Sequence, residues 1–311
     1  MLETIRNFPR TCEETLKQKI KLPKEYHNAN KIVISGMGGS AIAGDIIEDW
    51  LSDKLKIPIF VCRSYELPAF VDEKTLLICV SYSGNTKETL EQVKAGIKRK
   101  CKLVGISSNG ELIKIFRRKK LPFAQIKGGI LPRVAISYLL FSLISVLRAL
   151  DFVKLDKITI SCNPEEDAKV IARKIKGTFP VIYSIYPSVA RRFKTQLNEN
   201  SKVLARWEAI PEAAHNDIEG FVNLDEKFSL IFLRDEPAER EEIKKLIEFF
   251  KNSGKNATII EIFAKGRTKL ERILYLIWFT DFVSYFLAVE NKVNPEETPS
   301  IKRFKKFVYG K

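Results

Sequence analysis

With 311 residues, 45% of them hydrophobic, the chain is about twice the length of a typical domain and has apolar material for two cores. Its formal net charge of +15 attracts anionic small molecules. The basic residues are spread along the sequence apart from Lys98-Arg99-Lys100, Arg117-Arg118-Lys119-Lys120 and the C-terminal end, no nucleic-acid-binding motif accompanies them, and a nucleic-acid partner is not expected. The five cysteines are odd in number and form no CxxC or Cys/His grouping, which argues against a disulfide framework or a zinc site and for a reducing compartment.

The start, Met1-Leu2-Glu3-Thr4-Ile5-Arg6, lacks the apolar core of a signal peptide, and residues 1–30 read as a polar helix followed by a turn at Pro23. Lys31-Ile32-Val33-Ile34-Ser35 is a short buried strand, followed by the turn Gly36-Met37-Gly38-Gly39-Ser40 and a helix from Ala41 to Leu51. That turn lacks the G-x-G-x-x-G spacing of a dinucleotide site; its glycines let the backbone approach a ligand with no Cβ in the way. Pro58 to Cys62 is the next strand. Leu76 to Val80 then runs straight into Ser81-Tyr82-Ser83-Gly84-Asn85-Thr86, and a helical pattern starts at Lys87. Such a turn aims N–H groups and hydroxyls at one spot at the positive end of a helix, which suits a phosphate; Ser and Thr are equally ordinary as helix caps. Leu103 to Ser107 is another strand. Gly128-Gly129-Ile130-Leu131-Pro132-Arg133 opens a long apolar helix from Ala135 to Leu147, and Arg133 is either a solvated charge or a guanidinium aimed at an oxyanion.

Asp151 to Lys157 is a charged connection, and Lys157-Ile158-Thr159-Ile160 is expected to begin the second half as a strand. Strands at Val181–Ser184, Phe228–Leu233 and Ala257–Ile262 alternate with helices at Val189–Leu197 and Ala238–Asn252. Ile273 to Val289 is apolar but carries Asp281, so it reads, like Ala135–Leu147, as a buried helix, and no membrane partner is expected. The alternation predicts an α/β fold of two units, residues 1–152 and 153–311, each a mainly parallel sheet flanked by helices with ligands at the strands' carboxyl ends. A cytoplasmic protein is the expectation, and high Lys and Glu with little Gln suit a thermophile.

Of the two histidines, His27 sits in the polar lead-in, while His215 lies in Pro211-Glu212-Ala213-Ala214-His215-Asn216-Asp217-Ile218-Glu219-Gly220 with carboxylates close by. A lone histidine is more often structural than catalytic. Glu199, in Asn198-Glu199-Asn200, reads by itself as a carboxylate at a helix end.

Together, SGMGGSAIAGD, CVSYSGNTKET, LPR, LNENSK, PEAAHNDIEG and NPEETPSIKRFK resemble the archaeal-type bifunctional phosphoglucose/phosphomannose isomerases of the phosphoglucose isomerase superfamily, in the same order from Ser35 to the C-terminal end. SYSGNT alone points only to a sugar-isomerase (SIS) domain. The resemblance implies two SIS domains in a homodimer, with Gly39, Ser40, Ser81, Ser83 and Thr86 holding a sugar phosphate and Gly38 allowing its close approach. It further implies Glu199 as the proton-shuttling base, Arg133 against enediolate charge, and His215, from the neighbouring subunit, in ring opening with Lys305, near which Lys302 and Lys306 also lie. Thr298 is similar to the threonine associated with accepting mannose 6-phosphate as well as glucose 6-phosphate, where larger phosphoglucose isomerases have glutamine. In one departure, Ala214 stands where this branch often has a second histidine.

The residue types suit the implied chemistry. A carbonyl moves between C1 and C2 when one carboxylate removes a proton from one carbon and returns it to the next, through a cis-enediol, with no metal or cofactor required. Two other readings remain: a non-catalytic phosphosugar-sensing SIS module, which needs the phosphate turn but not Glu199, His215 and Lys305, and an isomerase for a different sugar phosphate.

Overall fold

Apolar runs without alternation belong in sheets covered on both faces. The computed structural model, which describes residues 1–310, uses them in that way in two units. In the first unit, Arg6–Ile160 with Lys269–Glu271, the strands β1 (Lys31–Ser35), β2 (Ile59–Cys62), β3 (Thr75–Val80), β4 (Lys102–Ser107) and β5 (Phe123–Gln125) are all parallel, in the order β2-β1-β3-β4-β5. Every residue of β3 is buried. On one face Val33, Leu77 and Leu103 share a core with Val93 of helix Lys87–Lys98 and with Leu112 and Phe116 of helix Gly110–Arg118. Helix Ile136–Ala149, apolar nearly all round, packs between helices Gly39–Leu51 and Phe8–Leu16. Strand order reverses between β1 and β3, and a crevice opens at the carboxyl ends of strands where such a reversal occurs.

The second unit comprises Met1–Ile5, Ser161–Thr268 and Arg272–Lys311. Its strands β6 (Phe179–Ser184), β7 (Arg206–Ala209), β8 (Phe228–Arg234) and β9 (Thr258–Phe263) are parallel in the order β7-β6-β8-β9, the first sheet's order without a fifth strand. Tyr183 stacks on Phe232 at 5.3 Å and meets Phe250 edge-on at 5.4 Å, and such pairs contribute about 0.5–1.5 kcal/mol each beyond their burial. Helix Lys269–Glu290 is long and apolar enough to cross a bilayer, yet 78% of its most apolar window is buried within the protein. Its Asp281 is paired with Arg192 at 2.7 Å, so it is a core helix. The first residues of the chain join this unit: Trp278 Nε1 donates to the Ile5 carbonyl at 2.7 Å, and the amino terminus meets Glu296 at 2.7 Å.

The expected strand Lys157–Ile160 does not form. The Thr159 N–H donates to Glu271 Oε1 at 3.0 Å instead of to a neighbouring strand, and the second sheet begins at Phe179. The lead-in is two short helices, Leu2–Arg6 and Phe8–Leu16, with Pro9 in the first turn of the second, rather than one. Helices expected at Ala41 and Ala238 start at Gly39 and Glu241.

Candidate active site

The turns after β1 and β3 meet at the first sheet's reversal point. A Cβ on Gly36 would stand 3.1 Å from the Val80 carbonyl, so the first turn packs directly on the end of β3. Gly38, at φ 53° and ψ −127°, caps helix Gly39–Leu51 and has open space where a side chain would stand. Ser40 Oγ accepts the Tyr82 N–H at 3.3 Å, which ties the turns together. Ser81 Oγ, buried, lies 2.9 Å from Thr86 Oγ1 and accepts the Gly84 N–H at 3.1 Å; Ser83 Oγ, exposed, accepts the Asn85 N–H at 3.3 Å. Helices Gly39–Leu51 and Lys87–Lys98 both start here, each presenting N–H groups and the positive end of its dipole.

Tyr82 extends the cup. Its hydroxyl donates to the Lys127 carbonyl at 3.2 Å and accepts the Ile130 N–H at 2.8 Å, fixing the segment that leads to the turn Pro132–Val134. Burial pushes the Tyr82 phenol above its ordinary pKa, so it stays a neutral donor and acceptor. Arg133 is 8% exposed, and its Cα lies 3.9 Å from where a Gly39 Cβ would stand. It is a buried cation against the glycine turn, not a solvated charge. The structure thus brings the turns that carry Gly38, Gly39, Ser40, Ser81, Ser83 and Thr86 together, with the backbone of Arg133 against Gly39, and their hydroxyls and amides are a donor set suited to a phosphate.

In the second unit, helix Pro187–Gln196 passes into a single π-helical turn, Leu197–Ser201, which carries the half-buried Glu199. Single π turns recur at functional sites, where the extra residue re-aims a side chain. The neighbours of Glu199 are pinned to the core helix. Gln196 Nε2 donates to Asp281 Oδ1 at 3.0 Å, Asn200 Nδ2 to Ser284 Oγ at 2.9 Å and Ser201 Oγ to the Ser284 carbonyl at 2.6 Å. Burial pushes the Asp281 carboxyl above its ordinary range against the opposing pull of Arg192.

Thr298 sits half-buried at the start of helix Pro299–Tyr309, on which Lys305, Lys302 and Lys306 are all exposed. His215 is exposed at the end of the turn Glu212–His215. Beside it Arg206 pairs with Asp217 at 2.6 Å, Tyr183 donates to Asp217 at 2.8 Å, and Arg206, Glu208, Asn216, Asp217 and Gly220 line a cavity of about 320 Å³. Among the described residues, no three His, Cys, Asp or Glu side chains gather in a metal-binding arrangement.

The second sheet also reverses its strand order, between β6 and β8, and there the first residue after β8 is a carboxylate. Asp235, fully buried just past β8, accepts the Tyr186 hydroxyl at 2.5 Å and Arg272 Nε at 2.6 Å. Sequence reasoning also missed Lys202, whose exposed side chain donates to main-chain carbonyls next to Glu199. The only signal for it was its place at the end of LNENSK.

Residues 25–113 match the SIS domain model, and residues 164–308 match the model of the bacterial phospho-glucose isomerase C-terminal SIS domain. The bifunctional phosphoglucose/phosphomannose isomerase of Thermoplasma acidophilum is 35% identical over 94% of this chain and 95% of its own length. The D-glucosamine-6-phosphate 4-epimerase of Sulfolobus acidocaldarius is 35% identical over 61% of this chain and 64% of its own. Among solved structures, the C-terminal domain of glucosamine-fructose-6-phosphate aminotransferase from Francisella tularensis superposes with a TM-score of 0.76 at 15% identity, covering 95% of this chain and 97% of that one. The fold is accordingly two SIS-type α/β units, as the resemblance implies.

Proposed function

Because the chain belongs to the bifunctional phosphoglucose/phosphomannose isomerase family, we propose that it interconverts glucose 6-phosphate and mannose 6-phosphate with fructose 6-phosphate. The observation that carries this reading is the crevice between β1 and β3, where Ser40, Ser81 and Thr86, two helix starts and the buried Arg133 converge. The phosphate binds there through charge-assisted hydrogen bonds, with Ser81 and Thr86 turning from each other to the ligand. Because the phosphate is remote from C1 and C2, its binding energy orients the sugar instead of reacting.

Glu199 then removes the proton from C2 of the open-chain aldose and returns it to C1. Run in reverse, from the ketose, the proton can return to either face of C2, which gives the two aldoses. Arg133 offsets the negative charge that develops on oxygen in the cis-enediolate. His215 and Lys305 assist ring opening, and Thr298 faces the C2 hydroxyl that distinguishes mannose from glucose. In this reading His215 is supplied by the second subunit of a homodimer. Its exposure supports that role, as does the apolar stripe on helix Pro299–Tyr309, where Phe304 and Phe307 are 55% and 92% exposed. The enzyme would work in the cytoplasm, where sugar phosphates are made and consumed.

Incubation of the purified protein with fructose 6-phosphate in deuterated water tests the reading. Both glucose 6-phosphate and mannose 6-phosphate are expected, with deuterium at C2. Binding without turnover would instead identify a sensor module, and a product altered only at C4 would align the chain with its epimerase relative.

A further inference from the structure

Lys202 follows the turn that carries Glu199; its side chain is exposed to solvent, and its ammonium is within hydrogen-bond distance of four main-chain carbonyl oxygens: Glu199 at 2.7 Å, Asn200 at 3.3 Å, Asn294 at 3.0 Å and Glu297 at 2.7 Å. A lysine at a helix end commonly satisfies the last carbonyls of its own helix, which accounts for Glu199 and Asn200. It does not account for Asn294 and Glu297, 92 and 95 residues further on. Glu297 directly precedes Thr298, so the two pairs of oxygens belong to the turn of the proposed base and to the segment that ends at the proposed sugar-selecting threonine. An ammonium has only three protons to donate, and the four oxygens converge on it as they would on a bound monovalent cation. The residue is also held at φ 59°, a backbone conformation that a lysine seldom adopts and that here aims the side chain into the cage. A second tie runs parallel, from Asn291 Nδ2 to the Ser201 carbonyl at 3.3 Å.

We propose that Lys202 is a positioning residue, a tethered cation that clamps the Glu199 turn to the segment leading into Thr298, so that base and selector keep one geometry. The role in catalysis rests on the isomerase reading above; the clamp itself does not.

The test is Lys202→Gly, which suits the positive φ and leaves the cage empty, compared with the wild type in sodium, potassium and ammonium salts at equal ionic strength. In sodium, kcat is expected to fall at least about tenfold with KM changed less than about twofold, because the clamp orients the base and does not hold the phosphate. The ratio of mannose 6-phosphate to glucose 6-phosphate should shift as well. Ammonium or potassium, free to enter the cage, should restore part of kcat in the variant and leave the wild type unchanged. Hydrogen exchange without any sugar supplies a second measurement: amides in 197–203 and 294–298 should exchange faster in Lys202→Gly and slow again in ammonium. A variant with wild-type kcat and product ratio, or a loss that no cation relieves, would overturn the proposal, and so would unchanged exchange in both segments. A wild type that turns over no phosphosugar would instead sink the isomerase reading, with the exchange measurement still deciding the clamp.

Discussion

Replacing Gly84 with alanine tests how tightly the phosphate turn is built. Gly84 stands at φ 70°, where any other residue costs about 1–2 kcal/mol. The added Cβ would stand 1.7 Å from the Asn109 carbonyl oxygen and 2.8 Å from Ser107 Oγ, so the backbone after β4 has to shift by more than an ångström, an overpacking that costs about 1–3 kcal/mol more. The summed expectation is about 2–5 kcal/mol of stability. The same shift disturbs the Gly84 N–H to Ser81 Oγ bond and the Leu112 N–H to Gly84 carbonyl bond, and with them the cup. Gly38→Ala is the control: its φ of 53° is also strained, but a Cβ there meets nothing within 4 Å, so only a conformational cost of about 1–3 kcal/mol applies. Urea unfolding of both variants gives the stabilities, and calorimetric titration with fructose 6-phosphate gives the affinities. A Gly84→Ala protein no less stable than Gly38→Ala would refute the account of the turn after β3 packed on the backbone after β4.

Glu199→Gln keeps the shape of the side chain but removes the proposed base. Turnover is expected to fall by at least about 10²-fold while phosphosugar affinity is retained, and ordinary turnover would remove Glu199 from its role. Thr298→Gln should depress mannose 6-phosphate turnover more than glucose 6-phosphate turnover; equal loss of both in steady-state assays would count against a selecting role. Thiol labelling probes burial: Cys162 is exposed, whereas Cys12, Cys62, Cys79 and Cys101 are buried. Burial raises the Cys101 pKa to about 11, so its reactive thiolate is suppressed until the pH nears that value. One thiol of the native chain should therefore react with a disulfide reagent at pH 8, and fast labelling of Cys101 would contradict the packing.

The strands that were legible in the sequence are β1, β3, β4, β6 and β8, whose apolar runs reflect cover on both faces, and the edge strands β2 and β9, which still carry apolar runs of their own. β5 has three residues, and β7, with the sequence Arg-Trp-Glu-Ala, lies at the sheet's edge with no fully buried residue, so neither has a period to detect. Lys157–Ile160 has the composition of a strand, but an apolar run becomes one only when a neighbour pairs with it, and here a side chain of the long helix takes that place. In the site, the hydroxyl turns were visible because their residues are adjacent in sequence. The burial of Arg133 was not, since it depends on the backbone of Gly39 far earlier in the chain. The same holds for Lys202: its partners at 294 and 297 come together with it only in the folded unit.

Asp235 carries a consequence for stoichiometry. A dianion approaching the reversal point of the second sheet would meet the Asp235 carboxylate, which is already paired with Arg272 and hydrogen-bonded by Tyr186. On the reading proposed above, repetition of the architecture does not repeat the binding event, and titration should saturate at a single phosphosugar per chain, leaving the other copy as the frame for the turn that carries Glu199.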